Sequence, residues 1–275
     1  MKLFSFFITS SLIISSFTLL EASAKTKVVA HRGFWNTENS AQNTLASFAK
    51  ADSIGCFGSE IDVWLTTDDH LVVNHDKNFQ GLFMETAPFE QIRSISLPNG
   101  EKIPTLDEYL AEVRKHPSTR LVLEMKSLTD YSREDVAASK ISELLRKHGV
   151  LDRTDIIVFS LNAAMTLKKI FPTGVKIFYL DGDLSPKKIK KLGLSGIDYS
   201  VKVLKNHPEW VEQAHKQGIE VNVWTANTEE DMKYFIDLGV DYITTDHPDQ
   251  LIKLLSEYKP SKDKKDKKVK KVSKK

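Results

Sequence analysis

Eight short apolar runs alternate with eight amphipathic helical patterns along this chain. That alternation constrains the fold more than any other feature. The runs are KVVAH, SEIDVWL, RLVLEMK, DIIVFS, KIFYLD, GIDYSV, EVNVWTA and YITTD. Between and after them come NTLASFAKADSIG, TLDEYLAEVRKH, DVAASKISELLRKHG, NAAMTLKKIF, SPKKIKKLG, PEWVEQAHKQG, TEEDMKYFIDLG and HPDQLIKLLSEY. Strands joined through helices run parallel, because the crossover returns the chain to the same edge. Eight such units occupy the 234 residues from Lys25 to Tyr258, which is the size of a single α/β domain closed as a (β/α)8 barrel. Four of the helical patterns stop at glycine (Gly149, Gly193, Gly218, Gly239), the residue expected just past a helix end. No linker divides the body. One long excursion, Asp76 to Pro104, precedes the second helix.

The ends do not belong to that pattern. Residues 1–24, MKLFSFFITSSLIISSFTLLEASA, carry one early lysine, an uncharged apolar stretch and the small-residue exit Ala22-Ser23-Ala24. This predicts a cleaved export signal. The single cysteine, Cys56, lies far from that exit, so the chain is not expected to be a lipoprotein or to hold an internal disulfide. Export without disulfides suits a periplasm or a cell surface. Residues 259–275 hold ten lysines and two aspartates, a net of +8. Since Lys2 and Glu21 cancel, the overall charge of +2 less this +8 leaves −6 on the body. The tail reads as a disordered, solvated string, with weak attraction to anionic membranes as its functional alternative. An acidic body lacks the basic face that nucleic acid requires.

Within the second run, Glu60 and Asp62 lie two residues apart and so share a strand face. Ile61, Val63 and Leu65 take the other face and pack outward against helices, leaving Glu60, Asp62 and Trp64 for the barrel interior. RLVLEMK repeats the pattern, with Glu124 and Lys126 inward. Three carboxylates therefore meet one lysine near the C-terminal ends of neighbouring strands, where barrel enzymes hold their chemistry. A buried salt-bridge network is one reading; the oxygen shell of a hard divalent cation is the better one, since Lys126 is expected to neutralise only one acid. His31 closes the first run and His75 follows the second. Beside Arg32, a fork for phosphate oxygens, and Gly33, where backbone can approach closely, they suit general acid–base work on an anionic ester. The other six histidines read as structural. The chain has no Gly-x-Ser-x-Gly elbow, P-loop, His-Glu-x-x-His or dinucleotide fingerprint.

Taken in order, HRG, QNTLASF, SEIDVWLT, VVNHD, IPTLDEYL, LVLEMK, VNVWTAN and YITTDHP resemble the glycerophosphodiester phosphodiesterase family from Val28 to Pro248. The resemblance implies a barrel that uses a divalent cation, Ca²⁺ or Mg²⁺ with Mn²⁺ as a further candidate, to split small-molecule glycerophosphodiesters into glycerol 3-phosphate and an alcohol. It implies Glu60, Asp62 and Glu124 as metal ligands and His31 and His75 as the acid–base pair. Arg32 and Lys126 would grip the phosphate, and Trp224 would form an aromatic wall over the substrate. Two departures stand out. Gln42-Asn43-Thr44 replaces the family's usual Glu-Asn-Thr, so Gln42 or the nearby Glu38 is the auxiliary group at the metal site. The excursion lacks the usual Arg and Thr pattern, and Phe79, Phe83 and Phe89 either rim the pocket or seal the excursion onto the barrel. A phospholipase acting on intact lipid and a non-catalytic binding barrel are the alternative functions.

Overall fold

The computed structural model describes Thr26 to Tyr258; the expected export signal at 1–24 and the Lys-rich tail at 259–275 lie outside the described residues. The chain opens with β1 (Lys27–Ala30) and α1 (Leu45–Ser53), the latter started by a capping box between Thr44 and Ser47. β2 (Gly58–Leu65) is long, and its last three residues pair antiparallel with β3 (Leu71–Val73). The excursion holds more regular structure than its sequence suggests: a hairpin of β4 (Asn78–Phe79) and β5 (Leu82–Phe83), then α2 (Phe89–Arg93). A second capping box, Thr105 with Glu108, starts α3 (Leu106–Val113). Then follow β6 (Arg120–Met125), α4 (Tyr131–His148), β7 (Thr154–Val158), α5 (Leu161–Ile170), β8 (Lys176–Tyr179), α6 (Pro186–Leu192) and β9 (Gly196–Ser200). α7 (Val201–Asn206), a short helix outside the expected set, precedes α8 (Glu209–Lys216). β10 (Glu220–Trp224), α9 (Glu229–Leu238), β11 (Tyr242–Thr245) and α10 (Pro248–Glu257) complete it.

The eight expected strands are parallel neighbours in the order β1-β2-β6-β7-β8-β9-β10-β11, and β11 returns to β1. The sheet is therefore a closed barrel with the helices outside, the (β/α)8 architecture. Both strand faces are buried, which is why the runs are apolar almost throughout. Ile61, Val63, Leu123 and Ile156 join the large core shared with the helices, whereas Val29, Val122, Ile157, Phe178, Leu180 and Tyr242 form a separate cluster within the barrel. Gly196 keeps this interior closed: a Cβ there would fall 2.3 Å from the Glu220 carbonyl oxygen and 2.5 Å from the Phe178 ring. α4, α6 and α9 end on Gly149, Gly193 and Gly239, while α8 ends on Gln217 with Gly218 next. Among the described residues no helix is long and apolar enough to cross a membrane.

Candidate active site

Parallel register sets Asp62 beside Glu124 and Glu60 beside Val122, so the three carboxylates converge inside the barrel near its C-terminal rim. Glu60, Asp62 and Glu124 are 2%, 1% and 8% exposed. Each offers an oxygen within 4.8 Å of the other two. Trp64 does not join them inside. By that point β2 has passed the rim and paired with β3, so the indole packs in the outer core. Lys126 also departs from expectation, because its buried ammonium reaches two acids rather than one: Nζ lies 2.6 Å from Asp62 Oδ1 and 2.8 Å from Glu124 Oε1.

The three acids are not equivalent. Asp62 receives a hydrogen bond from Asn43 Nδ2 at 2.8 Å, and its own N–H donates to Asn43 Oδ1 at 3.0 Å. Burial works against its charge, but Lys126, then His75 and the Asn43 bond, hold it down at about 2. Glu124 is pushed up to about 7, by burial first and by Asp62 second. Glu60 is pushed well above the carboxylate range by burial and by both acidic neighbours. Its Oε2 accepts the Arg32 N–H at 2.8 Å, while its buried Oε1 has no partner among the described residues. A buried carboxylate oxygen without a donor is costly. An all-oxygen set of three acids with one such oxygen fits a hard divalent cation.

The two histidines flank this cluster. His31, one residue past β1, sets Nδ1 2.8 Å from Asp246 Oδ1. Asp246 also accepts from Trp35 Nε1 at 3.1 Å and Asn227 Nδ2 at 2.6 Å. Burial opposes its charge, but these bonds, that of His31 first, hold it at about 2. A carboxylate at Nδ1 keeps the ring proton there and leaves Nε2 as the free nitrogen. His75 sets Nδ1 2.8 Å from the exposed Asp76, and burial lowers its pKa despite the pull of Asp62. The remaining histidines bond or stack elsewhere, such as His116 with Asp52 and Glu112, His148 with Asp107, and His70 on the Phe89 ring.

Arg32 and Asn43 both take left-handed backbone conformations, φ 56° and 60°, which cost about 1–3 kcal/mol each in a residue with a side chain. Two separate turns, joined by the Asn43 N–H donating to the Arg32 carbonyl at 3.0 Å, direct the Arg32 N–H to Glu60 and the Asn43 amide to Asp62. Gly33 serves a different end from the expected approach to an anion: at φ 80° a Cβ would lie 2.3 Å from Ser47 Oγ, so it lets the turn settle on α1. Gln42 Oε1 accepts from Arg32 Nη1 at 2.7 Å, so the amide aims the guanidinium. Glu38 is exposed on the loop and lies outside the acidic group.

A cavity of about 140 Å³ joins these groups, with His31, Arg32, Glu60, His75, Glu124 and Lys126 in its wall. Phe159, Leu180 and Trp224 add apolar and aromatic surface, and Ile157, Asp198, Thr225 and Thr244 complete the lining. Trp224 is fixed by its indole N–H on the Asp198 carbonyl at 2.9 Å and by an edge-on contact with Phe159. A larger cavity of about 520 Å³ adjoins it, and Glu38, Gln42 and Phe79 lie on its lining. Of the three phenylalanines Phe79 lines this cavity, Phe83 is exposed and Phe89 stacks on His70. Asp246 and Asn43 were the residues missed from sequence. Asp246 carried a usable signal, because the end of the last strand of a closed barrel sits beside the end of the first.

Comparison with known proteins bears on the same residues. The profile of the "Glycerophosphoryl diester phosphodiesterase family" matches residues 31–250. A glycerophosphodiester phosphodiesterase of Caldanaerobacter subterraneus subsp. tengcongensis is 31% identical over 250 residues, 84% of this chain and 98% of the relative. One from Bacillus altitudinis is 28% identical over 85% of this chain and all of its own length. The crystal structure of a glycerophosphodiester phosphodiesterase from Parabacteroides distasonis is 41% identical, with a TM-score of 0.83 over 85% of this chain and 98% of that one.

Proposed function

This chain belongs to the glycerophosphoryl diester phosphodiesterase family and is an enzyme of that class. On that premise we propose that it cleaves glycerophosphodiesters to glycerol 3-phosphate and an alcohol by paired-histidine catalysis. The observation that carries the reading is the convergence on one small cavity of two histidines, two cations and two acids, Glu60 and Glu124, that cluster with the buried Asp62 and leave one buried oxygen unpartnered among the described residues. Glu60, Asp62 and Glu124 would hold the cation, and their hard oxygens favour Ca²⁺ or Mg²⁺, with Mn²⁺ also suited. When bound, it would neutralise charge on the phosphoryl oxygens.

The chain's own groups account for the rest. Arg32, aimed by Gln42, and Lys126 bind the phosphate and stabilise the charge that builds on it. Among the described residues the lining holds no Ser or Cys, and neither of its threonines, Thr225 and Thr244, is hydrogen-bonded to a histidine that would activate it. The nucleophile is the glycerol hydroxyl next to the ester, which is already tethered and so needs little further ordering. His31, with Nε2 free and Nδ1 on Asp246, takes the hydroxyl proton while the oxygen bonds to phosphorus. His75 protonates the departing alkoxide as its P–O bond breaks. Water then opens the cyclic phosphate with the two roles reversed. A substrate analogue lacking that hydroxyl should bind but scarcely react. Release of alcohol from the analogue at the parent's rate would exclude the internal nucleophile. We extend the proposal to location: residues 1–24 direct export to a periplasm or cell surface, and the Lys-rich tail attracts the protein weakly to anionic membrane.

A further inference from the structure

Among the described residues the large apolar side chains left exposed are Phe83, Tyr131, Val136 and Leu161. Three of them stand on the C-terminal rim of the barrel. Phe83 is in the hairpin after β2, Tyr131 opens α4 after β6, and Leu161 opens α5 after β7. β2, β6 and β7 are neighbouring strands, and two carboxylates tie the three segments together. Glu85 accepts the Thr129 N–H at 2.7 Å and the Thr129 hydroxyl at 2.9 Å. The fully buried Glu134 accepts the Ser160 hydroxyl at 2.7 Å and the Asn162 amide at 3.0 Å. The three side chains therefore form one arc beside the mouth, and none of them lines either cavity. Folding does not require them there. In the hairpin Phe79 and Leu82 pack on the core, so strand alternation turns Phe83 outward. Tyr131 and Leu161 are the first residues of their helices, after the caps Asp130 and Ser160, whereas a hydrophobic staple uses the residue before the cap and the fourth of the helix.

The arc continues past β8 and β9 with Lys187, Lys188 and Lys202, exposed in first turns of helices, where the helix dipole disfavours cations. Among the described residues none of these lysines is in an ion pair. The exposed Asp130, Asp181 and Asp183 lie along the same rim, so charge alone does not draw it to an anionic surface. We propose that this arc docks the barrel mouth-first on a phospholipid layer, with Phe83, Tyr131 and Leu161 entering the head-group region. Aromatic and aliphatic side chains beside lysines are the composition that settles at a lipid–water boundary. The area speaks against a protein partner. Partly exposed side chains of this size offer on the order of 300 Å², against roughly 800 Å² per partner in a stable protein interface. The inference is independent of the cleavage chemistry, since it concerns only where the mouth is held. It also differs from the attraction of the Lys-rich tail, which salt screens.

The test is sedimentation of residues 25–275, tail included, with vesicles of phosphatidylcholine alone. It is run in about 1 M NaCl, where the Debye length is about 3 Å and the tail is screened. Wild type should bind. Combining Phe83→Ser, Tyr131→Ser and Leu161→Ser should lower the partition coefficient by about tenfold or more. Tyr131→Ser alone, at the most exposed of the three positions, should lower it by about threefold, and it decides the matter if the triple variant does not fold. A circular dichroism melt verifies the fold of each variant. Absence of wild-type binding, or partitioning of the folded variants equal to wild type, overturns the inference. A wild-type dimer in analytical ultracentrifugation that the substitutions abolish also overturns it, because the arc would then serve a second copy of the chain.

Discussion

Replacing Asp246 by Asn tests the catalytic assignment at its least obvious member. The two side chains have nearly the same shape, so packing survives, but the amide is neutral and offers donors where the carboxylate only accepts. Asp246 takes His31 Nδ1 at 2.8 Å, Asn227 Nδ2 at 2.6 Å and Trp35 Nε1 at 3.1 Å. An amide oxygen cannot serve all three, and its N–H₂ must face at least one of these donors. The low-energy escape is for His31 to move its proton to Nε2, which puts a donor where the mechanism needs a base. Turnover on a soluble diester should fall by about two to four orders of magnitude. Stability is affected separately. A carboxyl held at about 2 rather than 3.8 is one whose charged form the fold favours by about 2 kcal/mol. Its folded pKa is the depressed one, so that contribution is present above about pH 4 and lost as pH falls through about 2. Urea titration at neutral pH should show the variant about 1–2 kcal/mol less stable, with the gap closing in acid. Calorimetric Ca²⁺ binding should stay as in wild type, since Asp246 lies outside the acidic group. A folded variant with turnover within about threefold of wild type would refute the pairing of Asp246 with a catalytic His31.

Other predictions follow from the same geometry. Glu60→Gln and Asp62→Asn should each weaken Ca²⁺ and Mg²⁺ affinity along with turnover, and full activity after exhaustive dialysis against EDTA would contradict a metal-assisted site. His75→Ala should lower turnover by about two to four orders of magnitude with little change in urea midpoint; a comparable loss of stability would mark it as structural. Deleting 259–275 should leave soluble-diester turnover unchanged but reduce salt-sensitive sedimentation with anionic vesicles, and a loss of turnover would tie the tail to the fold. His215 is raised by its bond to Asp241. Its stabilising effect is therefore present below its usual range and lost as pH rises through the folded value. The difference in urea midpoint between wild type and His215→Gln should shrink as pH rises above the ordinary histidine range; a constant difference would count against the ion pair.

The eight strands, the parallel closure and the inward carboxylates were legible because each depends on short-range periodicity. A strand alternates faces every residue, and a barrel of βα units repeats that rule eight times. Residue types at strand ends likewise marked His31, His75, Arg32, Glu60, Asp62, Glu124 and Lys126. Their pairings were not legible, because pairing is a matter of distance between strands far apart in the chain. Asp246 lies 215 residues from His31, and only closure of β11 onto β1 brings them within 2.8 Å. Lys126 binds two acids because the β2–β6 register puts Asp62 beside Glu124, which neither strand's own sequence states. Trp64 looked inward by parity, but parity cannot tell where a strand outruns the barrel wall. Gln42 and Asn43 took their roles from left-handed conformations at Arg32 and at Asn43, backbone choices that local propensity opposes and that the surrounding contacts hold in place. Sequence periodicity determined which face each side chain takes; tertiary closure alone decided which faces meet.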